Sequence, residues 1–343
     1  IVSSINGKLK NTRMINDTLE SSIVINAKDR GGFLIKRLAA DFKFTPKIME
    51  FKHLDIITRS SHLRDYFAMH YHHFNDDMQD FIDNVTLDGH FTNSEVSSED
   101  LAYFAPETKS WNKIFSVEGT AHGKIKNLSG RKMIIKAGED NYLDGDITMN
   151  GLPDIDNTFI DFRARQLKTN YNELARLIPS LKDVTTPKLS ALGNINFSGS
   201  YTGYIRDFVA YGTLVTDIGL LKTDLHMKIP DKGKPEYQGN VSTTNFKLGK
   251  FIDNSQVNNI TFNGRIDGKG FLAKDIQIGV DGTISAIDFN NYTYTNIIAH
   301  GDFNKDVFTG AASIHDPHLI IDTLVGTINY SKLNPEFDLD ATV

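Results

Sequence analysis

Five blocks between Ile260 and Ile328 constrain this chain more than any other part: ITFNGRIDG, VDGTISA, IAHGDFN, FTGAASI and LVGTIN. Each alternates apolar with polar residues and holds one glycine in the middle of its apolar set. In the first block Ile260, Phe262, Gly264 and Ile266 fall on one side, and Thr261, Asn263, Arg265 and Asp267 on the other. Side chains of a strand point to opposite faces with period two. Each block therefore reads as a strand with one apolar and one wet face. The pattern predicts a mostly β chain: a long, curled antiparallel sheet with an open apolar groove and a few short inserted helices.

Taken in order, the chain keeps to this plan. Ile5, Gly7 and Leu9 alternate with Asn6, Lys8 and Lys10. Val117, Gly119, Ala121, Gly123 and Ile125 form a clean apolar set, followed by Leu143-x-Gly145-x-Ile147 and Ile160-x-Phe162-x-Ala164. Phe197, Gly199 and Tyr201 share a face, as do Tyr237, Gly239 and Val241. The opening blocks add Phe262, Ile266, Val280, Ile284, Phe303, Phe308, Ile314 and Ile328, and the final run adds Phe337 and Leu339. The apolar members of these sets, from Val117 to Leu339, are the expected lining of the groove.

Three stretches depart from period two. Residues 61–84 are rich in aromatics and acids, and read as short helix or irregular chain. Residues 97–106 read as a short helix capped by Ser97, with Glu99 and Asp100 at its positive end, Leu101 and Phe104 plugging apolar surface, and Pro106 as a stop. Residues 170–179 read as another, capped by Asn170, striped by Leu174, Leu177 and Ile178, and stopped by Pro179. With these as inserts, 1–343 reads as one continuous fragment of an elongated β-groove.

The glycines of the second half lie at 239, 264, 282, 301, 310 and 326. Their spacing suggests strands plus turns of about nine residues, with a glycine on most or every second strand. Glycine weakens a strand and marks a bend or a close approach. Repeated on one face, it relieves crowding on a concave side and leaves room in a groove. A plain sandwich or barrel with glycines at bulges is the competing arrangement. Roughly twenty strands at about 4.8 Å spacing would extend about 100 Å, and open sheets of that size curl. An apolar trough of that length suits acyl chains better than a small polar substrate.

Composition narrows the function classes. Net charge is −6 with no Lys/Arg block, which argues against nucleic acid. The absence of cysteine excludes disulfides, thiol nucleophiles and thiolate metal sites. No apolar run reaches the length of a membrane span. The chain starts at Ile1 and ends inside an alternating run, so both ends are expected to be cuts through something longer.

Candidate chemistry is sparse. His70-Tyr71-His72-His73 lacks the spacing of a helical pair or a tetrahedral set, and reads as the polar face of an insert. His315-Asp316-Pro317-His318 reads as a turn. Ten acids and no Lys or Arg lie between Asp65 and Thr108; a solvated acidic face is the favoured reading there over a cation site or a basic partner. No nucleophile elbow, phosphate loop or dinucleotide fingerprint is present, and neither a catalytic residue, a cofactor nor a metal site is expected.

The runs Asp144–Pro179, Arg64–Phe91, Ser97–Glu107 and Phe308–Ile328 resemble the TamB/AsmA-like family in its Bacteroidetes branch. The similarity covers most of the chain, and the helical inserts are its more specific part. The resemblance implies a non-enzymatic periplasmic protein anchored in the inner membrane and reaching the outer membrane. It also implies a taco-shaped groove that carries phospholipid. Its partners would be an Omp85-type outer-membrane barrel and the inner membrane itself, through regions outside these residues. In that setting Thr18 and Thr323, each in an Asp-Thr-Leu triplet, match a short O-glycosylation pattern. Two other functions were weighed: a scaffold for outer-membrane protein assembly through exposed sheet edges, and a β-helix that binds or cleaves polysaccharide. The irregular block spacing argues against the β-helix.

Overall fold

The computed structural model describes residues 2–103, 106–184, 187–230, 232–270, 276–305, 307–329 and 336–342. Its twenty strands form an antiparallel sheet that does not close into a barrel. The chain divides into two compact units, Ile1–Leu167 and Lys168–Val343.

The first unit holds β1 (Val2–Ile15), β2 (Thr18–Asp29), β3 (Leu34–Phe44), β4 (Ile48–Ile57) and β5 (His62–His70). Helices α1 (Phe74–Gln79) and α2 (Phe81–Asn84) lead to β6 (Thr86–Ser97), and α3 (Ser98–Leu101) follows. Strands β7 (Ile114–Lys124), β8 (Asn127–Ala137), β9 (Asn141–Asn150) and most of β10 (Phe159–Asn170) complete it. Each strand from β1 to β9 pairs with the next one in sequence. Hairpins of this kind need only short turns. The buried residues Ile23, Leu38, Ala40, Phe51 and Leu54 cluster on one face of β2–β4, and Phe42, Phe67 and Met69 pack against them.

The second unit opens with α4 (Tyr171–Leu177) and runs through β11 (Asn194–Tyr204), β12 (Asp207–Thr216), β13 (Gly219–Lys228) and β14 (Glu236–Phe246). After α5 (Leu248–Ile252) come β15 (Val257–Lys269), β16 (Gln277–Phe289), β17 (Tyr292–Asn304), β18 (Val307–Asp316), β19 (Leu319–Asn329) and β20 (Glu336–Thr342). They too form an antiparallel meander, β11 to β20. Exposure alternates along most of β13 and β17, as period two predicts.

The helical inserts are shorter than the sequence suggests. His62–His70 is strand, and only Phe74–Asn84 is helical. The alternation of β5 is hidden for two reasons. Asp65 is a bulge with φ +98°, and its carboxylate turns to His90 at 2.9 Å. Outward-facing Tyr66 is half-buried by donating to Glu50 at 3.0 Å. The two predicted caps form: Ser97 Oγ accepts from the Glu99 N–H and Asn170 Oδ1 from the Glu173 N–H. Pro106 and Pro179 each open a 3-10 turn rather than simply ending a helix. Phe104 lies outside the described residues. The Asp100 carboxylate accepts from Thr58 and Ser61, which ties α3 to the β4–β5 turn.

Candidate functional site

The second unit builds its apolar face from strand register. Pairing brings one inward position of every strand into line with one of the next, so the face consists of cross-strand rows. The first row runs through Phe208, Met227, Tyr237, Gly268, Ile278, Phe303 and Phe308, with Ile328 and Phe337 at the matching positions of β19 and β20. The next row runs through Tyr201, Ala210, Leu225, Gly239, Ile266, Val280, Gly301, Gly310 and Gly326 to Leu339. The third is nearly all small: Gly199, Gly212, Thr223, Val241, Gly264, Gly282, Ala299 and Ala312. Phe197, Leu214, Phe262, Ile284, Ile297 and Ile314 lie on the fourth. The result is a low lane of small residues between taller apolar ones. Its eight strands, β11 to β18, at about 4.8 Å spacing make it roughly 35 Å long.

The second-unit residues expected to line a groove are thus brought together on one face. Val280, Ile284, Phe303 and Ile314 are half-buried there. Of Ile328, Phe337 and Leu339 only the strand positions are described. In the first unit Val117 faces Ile135, Ile147 faces Gly130, and Phe162 is buried on β10. Ile125 is an exception: it sits in the turn between β7 and β8, because β7 ends at Lys124. Sequence reasoning missed Phe208, Gly212 and Leu214. Their strand also carries the exposed residues Val209, Tyr211 and Val215 on its outer face, which masks its period.

The glycines do something more specific than spacing strands. Gly199–Gly212, Gly264–Gly282 and Gly301–Gly310 are direct cross-strand partners, and Gly326 continues the last pair. Every strand from β14 to β19 carries one on this face. A nine-residue repeat is therefore not the rule: the gap from 264 to 282 is one hairpin folded about a glycine pair. A Cβ on Gly282 would stand 2.7 Å from Gly264 Cα, so the backbones crease inward there. The freed space is not left empty everywhere. The Phe262 ring lies over Gly264 and Gly282, Phe308 over Gly301, and Tyr237 over Gly268. Lying flat, Phe262 and Tyr237 are only 7% and 4% exposed.

Burial raises the hydroxyl pKa of both tyrosines on this face, Tyr237 to about 12 and Tyr201 further still. Each phenol donates to a backbone carbonyl, Tyr237 to Gly270 at 3.0 Å and Tyr201 to Tyr204 at 2.8 Å. Their rings thus add apolar area while the polar tip is satisfied. Thr223 Oγ1, in the lane, is a buried polar atom with no hydrogen-bond partner among the described residues.

The opposite face is polar. Lys269 pairs with Glu236, and Asp207 with His226 and Lys228; a shallow depression of about 460 Å³ opens among these side chains. Ten of the eleven histidines lie within ion-pair distance of an aspartate. His70 and His122 both contact Asp88, on three successive strands. In the His70–His73 run, the N–H groups of His72 and His73 donate to the Asp77 carboxylate in the first turn of α1. His315 pairs with Asp322, and Asp316 is buried under Tyr292 and Thr295. Of the acids in 65–108, Asp83 takes Lys126 and Glu99 takes Ser60. No group of three or more His, Asp or Glu among the described residues is placed to hold a metal ion. Thr18 starts β2 at the first hairpin, and Thr323 is exposed on β19.

No family model, no curated protein and no solved structure matches the chain.

Proposed function

We propose that the apolar face of the second unit is a track for the acyl chains of lipids. The observation that carries this reading is the continuity of the cross-strand rows from β11 to β20, with Val280, Ile284, Phe303 and Ile314 half-buried along them. Burying an acyl chain there is worth about 0.8 kcal/mol per methylene removed from water. A lane floored mostly by small residues, with Thr223 its one polar side chain among the residues named, offers similar affinity at successive positions, which suits movement rather than capture. The resemblance to TamB/AsmA-like proteins extends the proposal. The chain would be a periplasmic, non-enzymatic segment of a bridge that carries phospholipid between inner and outer membranes. It would meet an Omp85-type barrel and the inner membrane through other regions.

The test is mass spectrometry of lipids that co-purify with the protein. Ile266→Arg and Ile284→Arg place a cation on the track, and Thr283→Arg places the same group on the outer face. Lipid is expected to be lost from the first two and retained by the third. Equal lipid content in all three would sink the proposal. Photo-crosslinkers at Val280 and at Ile5 separate the track from a protein-assembly scaffold: lipid adducts at the first support the track, whereas protein adducts at the second alone support the scaffold.

A further inference from the structure

Gly279 on β16 is the one glycine of β11–β20 that faces outward among the described residues. Its register partners are Asp267 on β15 and Asp302 on β17, both on the polar face. The other glycines of these strands belong to the apolar face, where close approach of the strands requires many of them. At Gly239, Gly264, Gly282 and Gly310 a Cβ would stand 2.0–2.6 Å from a carbonyl oxygen of the neighbouring strand. At Gly279 it would meet only the mobile end of Asp302, Oδ1 at 3.1 Å, and Asp267 O at 3.6 Å. A glycine weakens its strand, and backbone packing does not require one here. What its missing side chain provides is an open floor.

The depression of about 460 Å³ on the polar face opens over this floor, walled by Gln238, Asp267, Gln277, Asp302 and Asn304. That volume lies within the range of about 300–1,000 Å³ usual for a small-ligand site. The cations at its rim are already paired, Lys269 with Glu236, and His226 and Lys228 with Asp207. The five wall side chains make no hydrogen bond or ion pair with another described residue. Three are carboxamides, each with donors and an acceptor, and two are carboxylates that only accept.

This set of groups selects among ligands. An anion would meet Asp267 and Asp302 with the nearby cations committed elsewhere. A metal ion lacks ligands, since no group of three or more His, Asp or Glu among the described residues is placed to hold one. A hydroxyl both donates and accepts, so neighbouring hydroxyls can give protons to the carboxylates and exchange both kinds of bond with the carboxamides. We propose that this depression binds neutral carbohydrate. Asp267 and Asp302 accept from sugar hydroxyls, Gln238, Gln277 and Asn304 complete the hydrogen bonds, and a C–H face of the sugar ring rests on Gly279. The site lies on the face opposite the acyl-chain lane and stands independently of it.

An array of immobilised neutral, sulfated and sialylated oligosaccharides, probed with the whole chain, tests this. The unaltered chain is expected to bind neutral members and to pass over the charged ones. Gly279→Leu fills the floor and Asp302→Ala removes an acceptor; each should weaken binding to the same glycans about tenfold. Thr283→Leu puts a leucine on the same face of β16, at an exposed position outside the depression, and should bind as the unaltered chain does. Asp302 is exposed and paired with nothing described, so Asp302→Ala should keep the parent's circular dichroism and melting temperature and report on binding alone. Titration with spermidine probes the competing occupant, an organic cation held by the two carboxylates. A chain that binds spermidine but no neutral glycan, one that binds only sulfated or sialylated glycans, or Gly279→Leu and Asp302→Ala proteins that bind undiminished would overturn the proposal.

Discussion

Alanine placed at Gly282 and at Gly279, on the same strand but on opposite faces, separates a crease from ordinary strand glycine. Replacing a strand glycine normally stabilises by about 0.4–1 kcal/mol, because the unfolded chain loses freedom. At Gly279 a Cβ would meet only Asp302 Oδ1 at 3.1 Å and Asp267 O at 3.6 Å. The first is the end of a mobile side chain, so the full gain is expected. At Gly282 the Cβ would meet Asn263 O at 2.6 Å, Gly264 Cα at 2.7 Å and the Phe262 ring at 2.9 Å. Two of these atoms are backbone and the ring is buried, so the strands must part. Overpacking of this kind costs about 1–3 kcal/mol, leaving a net loss of about 1–2 kcal/mol after the entropic gain. At about 2–4 °C per kcal/mol for a unit of this size, Gly282→Ala should melt roughly 2–8 °C lower than the parent. Gly279→Ala should melt at or slightly above it. Thermal unfolding followed by far-ultraviolet circular dichroism is sufficient. A Gly282→Ala protein as stable as Gly279→Ala would refute the creased-sheet argument.

Three further outcomes are expected. Thr223→Val replaces an orphaned hydroxyl in the apolar lane with a methyl, and should stabilise by about 1 kcal/mol in urea denaturation. Asn170→Ala removes the cap of α4 and should destabilise by about 1 kcal/mol, measured the same way. Asp316 is held down to about 2 from an ordinary 3.8, first by the Tyr292 hydroxyl and then by the His318 N–H. Its folded-state pKa is depressed, so its stabilisation is present above pH 4 and lost as pH falls toward 2. Asp316→Asn should therefore be less stable at neutral pH and show a shallower decline between pH 4 and 2 in acid titration.

What the residues display in order is the part of the fold that local alternation controls. β13 and β15–β17 read directly, because their two faces differ in polarity at most steps, Ile298 on the outer face of β17 being an exception. Ser97 and Asn170 read as caps because a cap acts within three residues. β5 and β12 do not read, one because Asp65 bulges and the other because Val209, Tyr211 and Val215 are apolar on the wet face. The His–Asp pairs are invisible for a different reason: His122 and Asp88 stand 34 apart in sequence and meet only through strand pairing. The glycines were legible as a bend. The rings lying over them were not, because the covering residue can come from the same strand, as Phe262 does for Gly264, or from the next, as Phe308 does for Gly301.

Residue size along the rows decides where an apolar ligand can lie. In the first unit, the inner positions of β2–β5 carry Leu38, Phe42, Phe51, Leu54 and Phe67, which pack on one another until Phe51 is 8% exposed and Leu54 3%. A face built of large side chains fills its own concavity. In the second unit the equivalent lane is Gly264, Gly282, Ala299 and Ala312, and Ile266, Val280 and Ile284 beside it stay half-buried. Flat rings cover part of that lane, but they sit beside the glycines of β15–β17, whereas only backbone approaches the Cβ position of Gly310 and Gly239. Leaving apolar area in contact with water costs about 25 cal/mol per Å², and a sheet gains nothing by keeping Phe303 and Ile284 half-covered unless something else covers them. On the proposed function, a continuous apolar chain is the occupant whose shape follows such a lane.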